Sequence, residues 1–253
     1  MRFTFLGTGT SQGVPVLTCN CRVCRSSDFR DKRTRTSGYL ETDGQKILID
    51  IGPDFRCQAM RENITEIDTI LLTHEHRDHV AGLDDIRPYN FLQDQLVKIY
   101  ATRWVQDSIK KAFYYIFDDN GYPGIPRIDM QEINNQLFKV NGLDVLPIEV
   151  FHYKLPVLGF RFGDFTYITD AKTISKAEKE KIKGTQTLVL NALQQEEHIS
   201  HFTLKEAVEM VEELGVKRAY FTHISHFMGK HDEVNRTLPE HIQLAYDGLT
   251  IQV

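Results

Sequence analysis

Residues Thr73-His74-Glu75-His76-Arg77-Asp78-His79 place three histidines and an aspartate within six positions, directly after the apolar run Ile70-Leu71-Leu72. Imidazole nitrogens and a carboxylate are the donors that zinc, manganese and iron accept. The chain has 10 histidines in 253 residues, so random scatter does not account for this crowding. A polar loop that is merely rich in histidine is the competing reading.

Other candidate donors follow apolar runs in the same way. His152 comes after Leu143–Val150, Asp170 after Thr166–Thr169, and His223 after Arg218–Thr222. Each alone could be a surface, turn or core residue. Their shared place just beyond a strand is where loops gather into a site. A second group is Cys19, Cys21 and Cys24, crowded into one loop. Three thiols at this spacing read as metal ligands before disulfides, and a Cys19–Cys21 bridge would be strained. Cys57 stands apart, between Arg56 and Gln58, and is expected as a small core residue on a helix.

The elements that must position these residues are short strands with β-branched or aromatic content, separated by a few helices. Strands are expected at 2–6, 37–41, 46–49, 69–72, 98–100, 143–150, 159–162, 166–169, 187–190, 218–222 and 249–253. The apolar spacing of Val105, Ile109, Ala112, Phe113 and Ile116 predicts a helix over 104–117, and 175–183 is also helix-like. A further helix, 203–214, has a capping box in Thr203 and Glu206 and a C-terminal Gly215. Residues 118–129 read as an insertion loop from their Gly and Pro density. With no linker or low-complexity break, residues 1–253 are expected to form one domain of two mixed sheets packed together under outer helices.

The spacing His74-x-His76-x-Asp78-His79, with His152, Asp170 and His223, resembles the metallo-β-lactamase superfamily over essentially the whole chain. The opening Leu6-Gly7-Thr8-Gly9-Thr10-Ser11-Gln12-Gly13-Val14-Pro15, the cysteine triplet and Thr222-His223-Ile224-Ser225-His226 narrow the resemblance. They are similar to the cyclic-phosphate phosphodiesterases of the carbon–phosphorus lyase pathway, which act on 5-phosphoribosyl 1,2-cyclic phosphate.

This resemblance implies an α/β fold, a four-layer αββα sandwich, with two divalent metals (zinc or manganese) in a cleft at one edge. His74, His76 and His152 would hold one metal; Asp78, His79 and His223 would hold the other; Asp170 would bridge them. A metal-bridging hydroxide would attack the phosphoryl group. His226 would complete a structural zinc site with Cys19, Cys21 and Cys24. The catalytic residues implied are Asp78 and His201, the latter donating a proton to the leaving oxygen, with His198 as its rival. An outer wall of the cleft is expected from the loop around 122–126. One position departs from the pattern: relatives carry an acidic residue where this chain has Asn191, which can hydrogen-bond to a histidine but carries no charge.

The function expected is hydrolysis of a small cyclic phosphate or nucleotide-like phosphodiester. The alternative is a ribonuclease Z-like endonuclease that processes transfer-RNA 3′ ends. A third reading, a noncatalytic or redox member, is disfavoured because all seven ligand positions carry hydrolase-type residues. Net charge −5 and the lack of a long basic insertion weigh against nucleic acid as a partner. Arg22, Arg25, Arg30, Lys32, Arg33 and Arg35 form a basic run, read as a solvated surface loop. Gly7, Gly9 and Gly13 do not fit a nucleotide-binding fingerprint. With neither a membrane span nor a signal peptide in sight, a cytoplasmic enzyme without membrane partners is expected, and relatives suggest a homodimer.

Overall fold

The computed structural model describes residues 1–42, 44–118 and 123–253. Its first half holds β1 (Arg2–Gly7), β2 (Ser37–Thr42), β3 (Gln45–Ile49), β4 (Thr69–Leu71), β5 (Val97–Ala101), β6 (Ile128–Glu132) and β7 (Phe138–Val140). The second half holds β8 (Leu143–His152), β9 (Leu155–Phe162), β10 (Phe165–Tyr167), β11 (Thr173–Ile174), β12 (Thr187–Asn191), β13 (Arg218–Thr222), β14 (Ile242–Leu244) and β15 (Thr250–Gln252). The helices are α1 (Phe55–Arg61), α2 (Arg77–Val80), α3 (Arg87–Gln93), α4 (Arg103–Ala112), α5 (Lys176–Ile182), α6 (Leu204–Leu214) and α7 (His231–Asn235).

One sheet runs β15-β1-β2-β3-β4-β5-β6 and the other β11-β8-β9-β10-β12-β13-β14, with β7 paired to β8. Residue alternation along each strand assigns the layers. In β3, Ile47 and Ile49 face the other sheet; with Phe3 and Phe5 of β1 they pack against Phe160 and Tyr167. Leu48 faces the opposite way, toward Phe55, Tyr89 and Val105 of the first helical layer. In β12 the pattern repeats: Val189 lies between the sheets, whereas Leu188 and Leu190 meet Ile182, Ala207 and Val211 of the second helical layer. Both faces of each sheet are therefore covered, which is why these strands read as nearly continuous apolar runs. The result is the expected four-layer αββα sandwich.

Strand direction explains the shared position of the candidate ligands. Strands β3, β4 and β5 are mutually parallel, as are β10, β12 and β13. Strand β8 is antiparallel to β9, and β9 to β10, so β8 runs the same way as β10. The C-terminal ends of β8, β10, β12 and β13 thus open on one edge of their sheet, where open α/β sheets place their sites.

Some sequence expectations needed revision. The helix expected over 104–117 stops at Ala112, and a 3₁₀ turn over Tyr114–Ile116 follows. Phe113 and Ile116 still reach the core, so the apolar spacing holds while the backbone tightens. The end of the expected loop 118–129 belongs to β6, which pairs with β5. Of the expected outer wall, Tyr122 lies outside the described residues. Cys57 is exposed rather than core: α1 buries Phe55, Gln58 and Ala59, and Cys57 projects from the other side. The basic run is not uniformly solvated either. Arg33 is 5% exposed and donates through Nη1 to Thr8 Oγ1 and the Ala245 carbonyl. Helix α6 carries the predicted capping box, and Gly215 adopts the left-handed conformation at φ 63°. Among the described residues, no helix is long and apolar enough to cross a membrane.

Candidate metal centre

The turn after β4 carries four of the expected ligands. His76 is extended and precedes α2, whose first turn holds Asp78 and His79. Close packing keeps this turn in place: a Cβ at Gly52 would collide with the Asp78 carbonyl, so only glycine lets the two backbones meet.

Asp170 stands at the middle. His74 Nε2 and His79 Nε2 both lie 3.4 Å from Asp170 Oδ2, and His223 Nε2 lies 3.1 Å from Oδ1. Asp78 Oδ2 is 3.2 Å from His79 Nε2 and 3.8 Å from His223 Nε2. His74 Nε2 and His76 Nδ1 are 3.0 Å apart. The His152 ring is 5.2 Å from His76 and 4.4 Å from His201. Donor atoms thus gather as Asp78, His79, Asp170 and His223; as His74, His76 and Asp170; and as His152, Asp170 and His201.

Hydrogen bonds set which ring nitrogen faces inward. His79 Nδ1 donates to Asp50 Oδ2 at 2.7 Å, and His152 Nδ1 donates to the Ser200 carbonyl at 3.0 Å. Thr73 Oγ1 donates to Asp50, so its oxygen accepts from His74 Nδ1 at 3.0 Å. In all three rings Nδ1 is held outside by its partner, and Nε2 is the nitrogen turned to the centre. His79 Nε2 and His223 Nε2 are buried yet make no hydrogen bond among the described residues. Buried nitrogens facing carboxylate oxygens without a bond between them are a donor set suited to cations.

Burial opposes charge on His79, but Asp170, Asp78 and Asp50 hold its imidazole well above the ordinary value, whereas burial pushes His74 well below it. Burial works against charge on Asp170, but His223 and His79 outweigh it and hold the carboxyl well below its ordinary range. Asp78 is held low in the same way by His79 and His223. Both carboxylates are therefore ionised, as ligands must be.

Three residues here have left-handed backbone: Asp50 (φ 60°), Asp170 (φ 55°) and His223 (φ 56°). Such conformations cost on the order of 1–3 kcal/mol each and persist where neighbours hold them. Around His223 the glycine-rich segment does this: Ile224 N donates to the Thr8 carbonyl at 2.8 Å, and Thr10 N to the Ile224 carbonyl at 3.2 Å.

Among the described residues Asn191 makes no hydrogen bond to a histidine. Its amide bonds both ways to the Ala171 backbone, because β12 ends beside the turn that follows β10. His201 is 6% exposed, its ring 4.8 Å from that of His223, whereas His198 is less buried and farther out. Burial, with His223 adding to it, pushes the His201 imidazole down to about 2. The free site therefore holds this ring neutral instead of near its ordinary value.

Three residues beyond His223, the Nδ1 of His226 has the Sγ atoms of Cys19, Cys21 and Cys24 at 3.3, 3.5 and 3.5 Å. The Cys24 N–H draws the Cys21 thiol down to about 6, and burial pushes Cys24 up to about 11. Three sulfurs and one nitrogen converging without a disulfide form a closed tetrahedral set of the kind that suits structural zinc.

Sequence reasoning missed Asp50 and Thr73. Asp50 is fully buried and accepts the Thr73 N–H and hydroxyl as well as His79. It follows a strand, Lys46-Ile47-Leu48-Ile49-Asp50, so the rule that picked out Asp170 would have found it.

Comparison with known proteins fits this geometry. The sequence pattern of the Beta-lactamase superfamily domain matches residues 45–224. A crystal structure described as a new diphosphatase from the PhnP family is 41% identical, with TM-score 0.93, and the match covers 100% of this chain and 97% of that one. A Porphyromonas gingivalis protein named octanoyltransferase is 43% identical over 98% of this chain, which spans only 51% of that relative. A Methanopyrus kandleri ribonuclease Z is 27% identical, with 87% of this chain and 92% of that one covered. By the matched pattern and by its two-sheet architecture, this chain belongs to the metallo-β-lactamase superfamily.

Proposed function

We propose that this chain is a dinuclear metal-dependent phosphoric diester hydrolase acting on a small cyclic phosphate or nucleotide-like substrate. The observation that carries this reading is the set of inward-facing nitrogen and carboxylate atoms around Asp170, three of the rings oriented by hydrogen bonds at the far nitrogen. His74, His76 and His152 would hold one divalent cation, and Asp78, His79 and His223 a second, with Asp170 shared. Bound there, zinc or manganese would supply Lewis acidity toward phosphoryl oxygens and lower the pKa of water. The similarity to a PhnP-family diphosphatase supports phosphoryl chemistry and adds diphosphates to the substrates worth testing.

The chain's own groups do the rest. Asp50 holds His79, Thr73 holds His74, and the Ser200 carbonyl holds His152, so the donor array is set before substrate arrives. In this reading His201 would protonate the leaving oxygen. Its ring is neutral in the free site, and the negative charge of an arriving phosphoryl group is what raises its basicity. Cys19, Cys21, Cys24 and His226 would hold a structural zinc that ties the N-terminal loop to the segment after β13.

A screen of metal-loaded protein against bis(p-nitrophenyl) phosphate, 5-phosphoribosyl 1,2-cyclic phosphate, a nucleoside diphosphate sugar and precursor transfer RNA tests this. Turnover of one of the small substrates is expected to be fastest. The second reading, transfer-RNA 3′ processing, rests on the similarity to ribonuclease Z and would prevail if precursor transfer RNA were cleaved faster.

A further inference from the structure

Two guanidinium groups beside the centre have no part in the reaction described so far. Arg77 lies between His76 and Asp78, and its exposed side chain makes no hydrogen bond or ion pair among the described residues. Arg35 is anchored on one edge. Its Nη1 donates to both Asp54 carboxylate oxygens at 3.1 Å, and its Nε donates to the Ser11 carbonyl at 3.1 Å. That leaves Arg35 Nη2 without a partner among the described residues. Ser11, Arg35, Pro53, Arg77, Asp78 and Ala81 line one cavity of about 410 Å³. Asp78 belongs both to this cavity and to the donor set around Asp170, so the cavity opens directly beside the metal centre.

A lone exposed arginine is ordinarily solvated surface. Here a second arginine, held in place by Asp54, lines the same cavity, and Arg77 also borders a neighbouring one with Glu75 and Lys111. Planar guanidinium forks match phosphate oxygens in geometry as well as charge. Asp54 already neutralises part of the charge on Arg35, so Arg77 supplies most of the attraction and Arg35 mainly direction. Both line the cavity that borders Asp78, where a part of the substrate that is not cleaved would rest.

We infer that Arg77 and Arg35 bind a non-reacting phosphate monoester of the substrate and thereby determine specificity. This inference rests on the proposed phosphodiester reaction for its catalytic meaning, but the binding it asserts is measurable without turnover.

The test compares metal-loaded wild type with Arg77→Ala and Arg35→Lys. Hydrolysis of ribose 1,2-cyclic phosphate is measured with and without a 5-phosphate. Binding of ribose 5-phosphate is measured by titration calorimetry. For Arg77→Ala, the ratio of kcat/KM for the 5-phosphorylated substrate to that for the unphosphorylated one is expected to fall about tenfold or more, and Kd for ribose 5-phosphate to rise by a similar factor. Arg35→Lys keeps a charge toward Asp54 but loses the free Nη2, and a smaller fall is expected. If wild type hydrolyses neither substrate yet Arg77→Ala weakens ribose 5-phosphate binding, the subsite stands and the proposed reaction falls. An unchanged ratio with unchanged Kd, or a wild type that does not bind ribose 5-phosphate, overturns the subsite whatever the enzyme hydrolyses.

Discussion

Asn191 grips the backbone of Ala171 from both sides: its Oδ1 accepts the Ala171 N–H at 2.7 Å and its Nδ2 donates to the Ala171 carbonyl at 2.9 Å. The same carbonyl accepts the Phe202 N–H at 2.9 Å. One buried amide therefore ties the turn carrying Asp170, at its left-handed φ of 55°, to the segment carrying His201. Asn191→Ala would leave the Ala171 N–H buried without a partner, at a cost of about 1–3 kcal/mol. Tm is expected to fall by about 3–10 °C, and metal content to fall with it as Asp170 loses its placement. Asn191→Asp is expected to be no milder, since a carboxylate has no N–H for the Ala171 carbonyl. Calorimetry and metal analysis check both, and an unaltered Tm would show the clamp to be idle.

Asp50 touches no substrate in the proposed reaction, yet it orients His79 and, through Thr73, His74. Asp50→Asn is expected to lower metal affinity or activity by about 10–100-fold, the usual effect of losing an outer partner of a ligating histidine. Metal titration followed by assay separates the two effects, and restoration of activity by excess metal would mark Asp50 as a positioning residue.

Asp78→Ala and His79→Ala each remove a donor from the centre. Turnover of bis(p-nitrophenyl) phosphate is expected to be abolished with the circular dichroism spectrum unchanged. Retained turnover would sink the proposed mechanism.

Metal analysis of the wild type is expected to find more than two ions per chain, two around Asp170 and one on the cysteine cluster. Cys21→Ala should lose one of them and lower Tm, because the loop there has little apolar material beyond Val14, Val23 and Cys24 to hold it.

If His201 protonates the leaving oxygen, its importance depends on the leaving group. His201→Ala is expected to reduce kcat by about 10²–10⁴-fold for a sugar hydroxyl and far less for p-nitrophenolate, which departs without a proton. Equal losses on both substrates would assign His201 to holding the site together instead.

His231 is 3% exposed and its Nδ1 sits 3.2 Å from Arg33 Nη2. Burial, then the charges of Arg33 and Arg30, push its imidazole down to about 4 from an ordinary 6.5. Between these values the unfolded chain binds a proton that the folded chain refuses, so this residue's contribution to stability falls as pH drops from 6.5 toward 4. His231→Gln keeps an acceptor for Arg33 and cannot be protonated. The fall in Tm between pH 7 and pH 4.5 is expected to be shallower for this variant, and parallel curves would refute the assignment.

The donor residues were legible in the sequence because their chemistry is local: three histidines and an aspartate within six positions need no fold to be conspicuous. Most strands were equally plain, since a sheet covered on both faces imprints an apolar run on its strands, but β6, β7, β11 and β14, which are short or only half-buried, were not among those expected. Asp50 follows a strand just as Asp170 does, and only the fold shows that its carboxylate meets His79. The placement of Cys57 failed because a helix as short as α1 gives too few positions to separate its buried face from its exposed one.

By itself the sequence determined which atoms could bind metal and which strands would carry them. Tertiary structure alone decided their protonation, partners and strain. Asp50 is 29 residues from His79, Asn191 is 20 from Ala171, and Ser200 is 48 from His152. Such bonds form only when strands far apart in the chain run in one direction and end at one edge. Which nitrogen of an imidazole faces a metal, and which side of Asn191 meets a backbone, follow from that arrangement and not from neighbours along the chain.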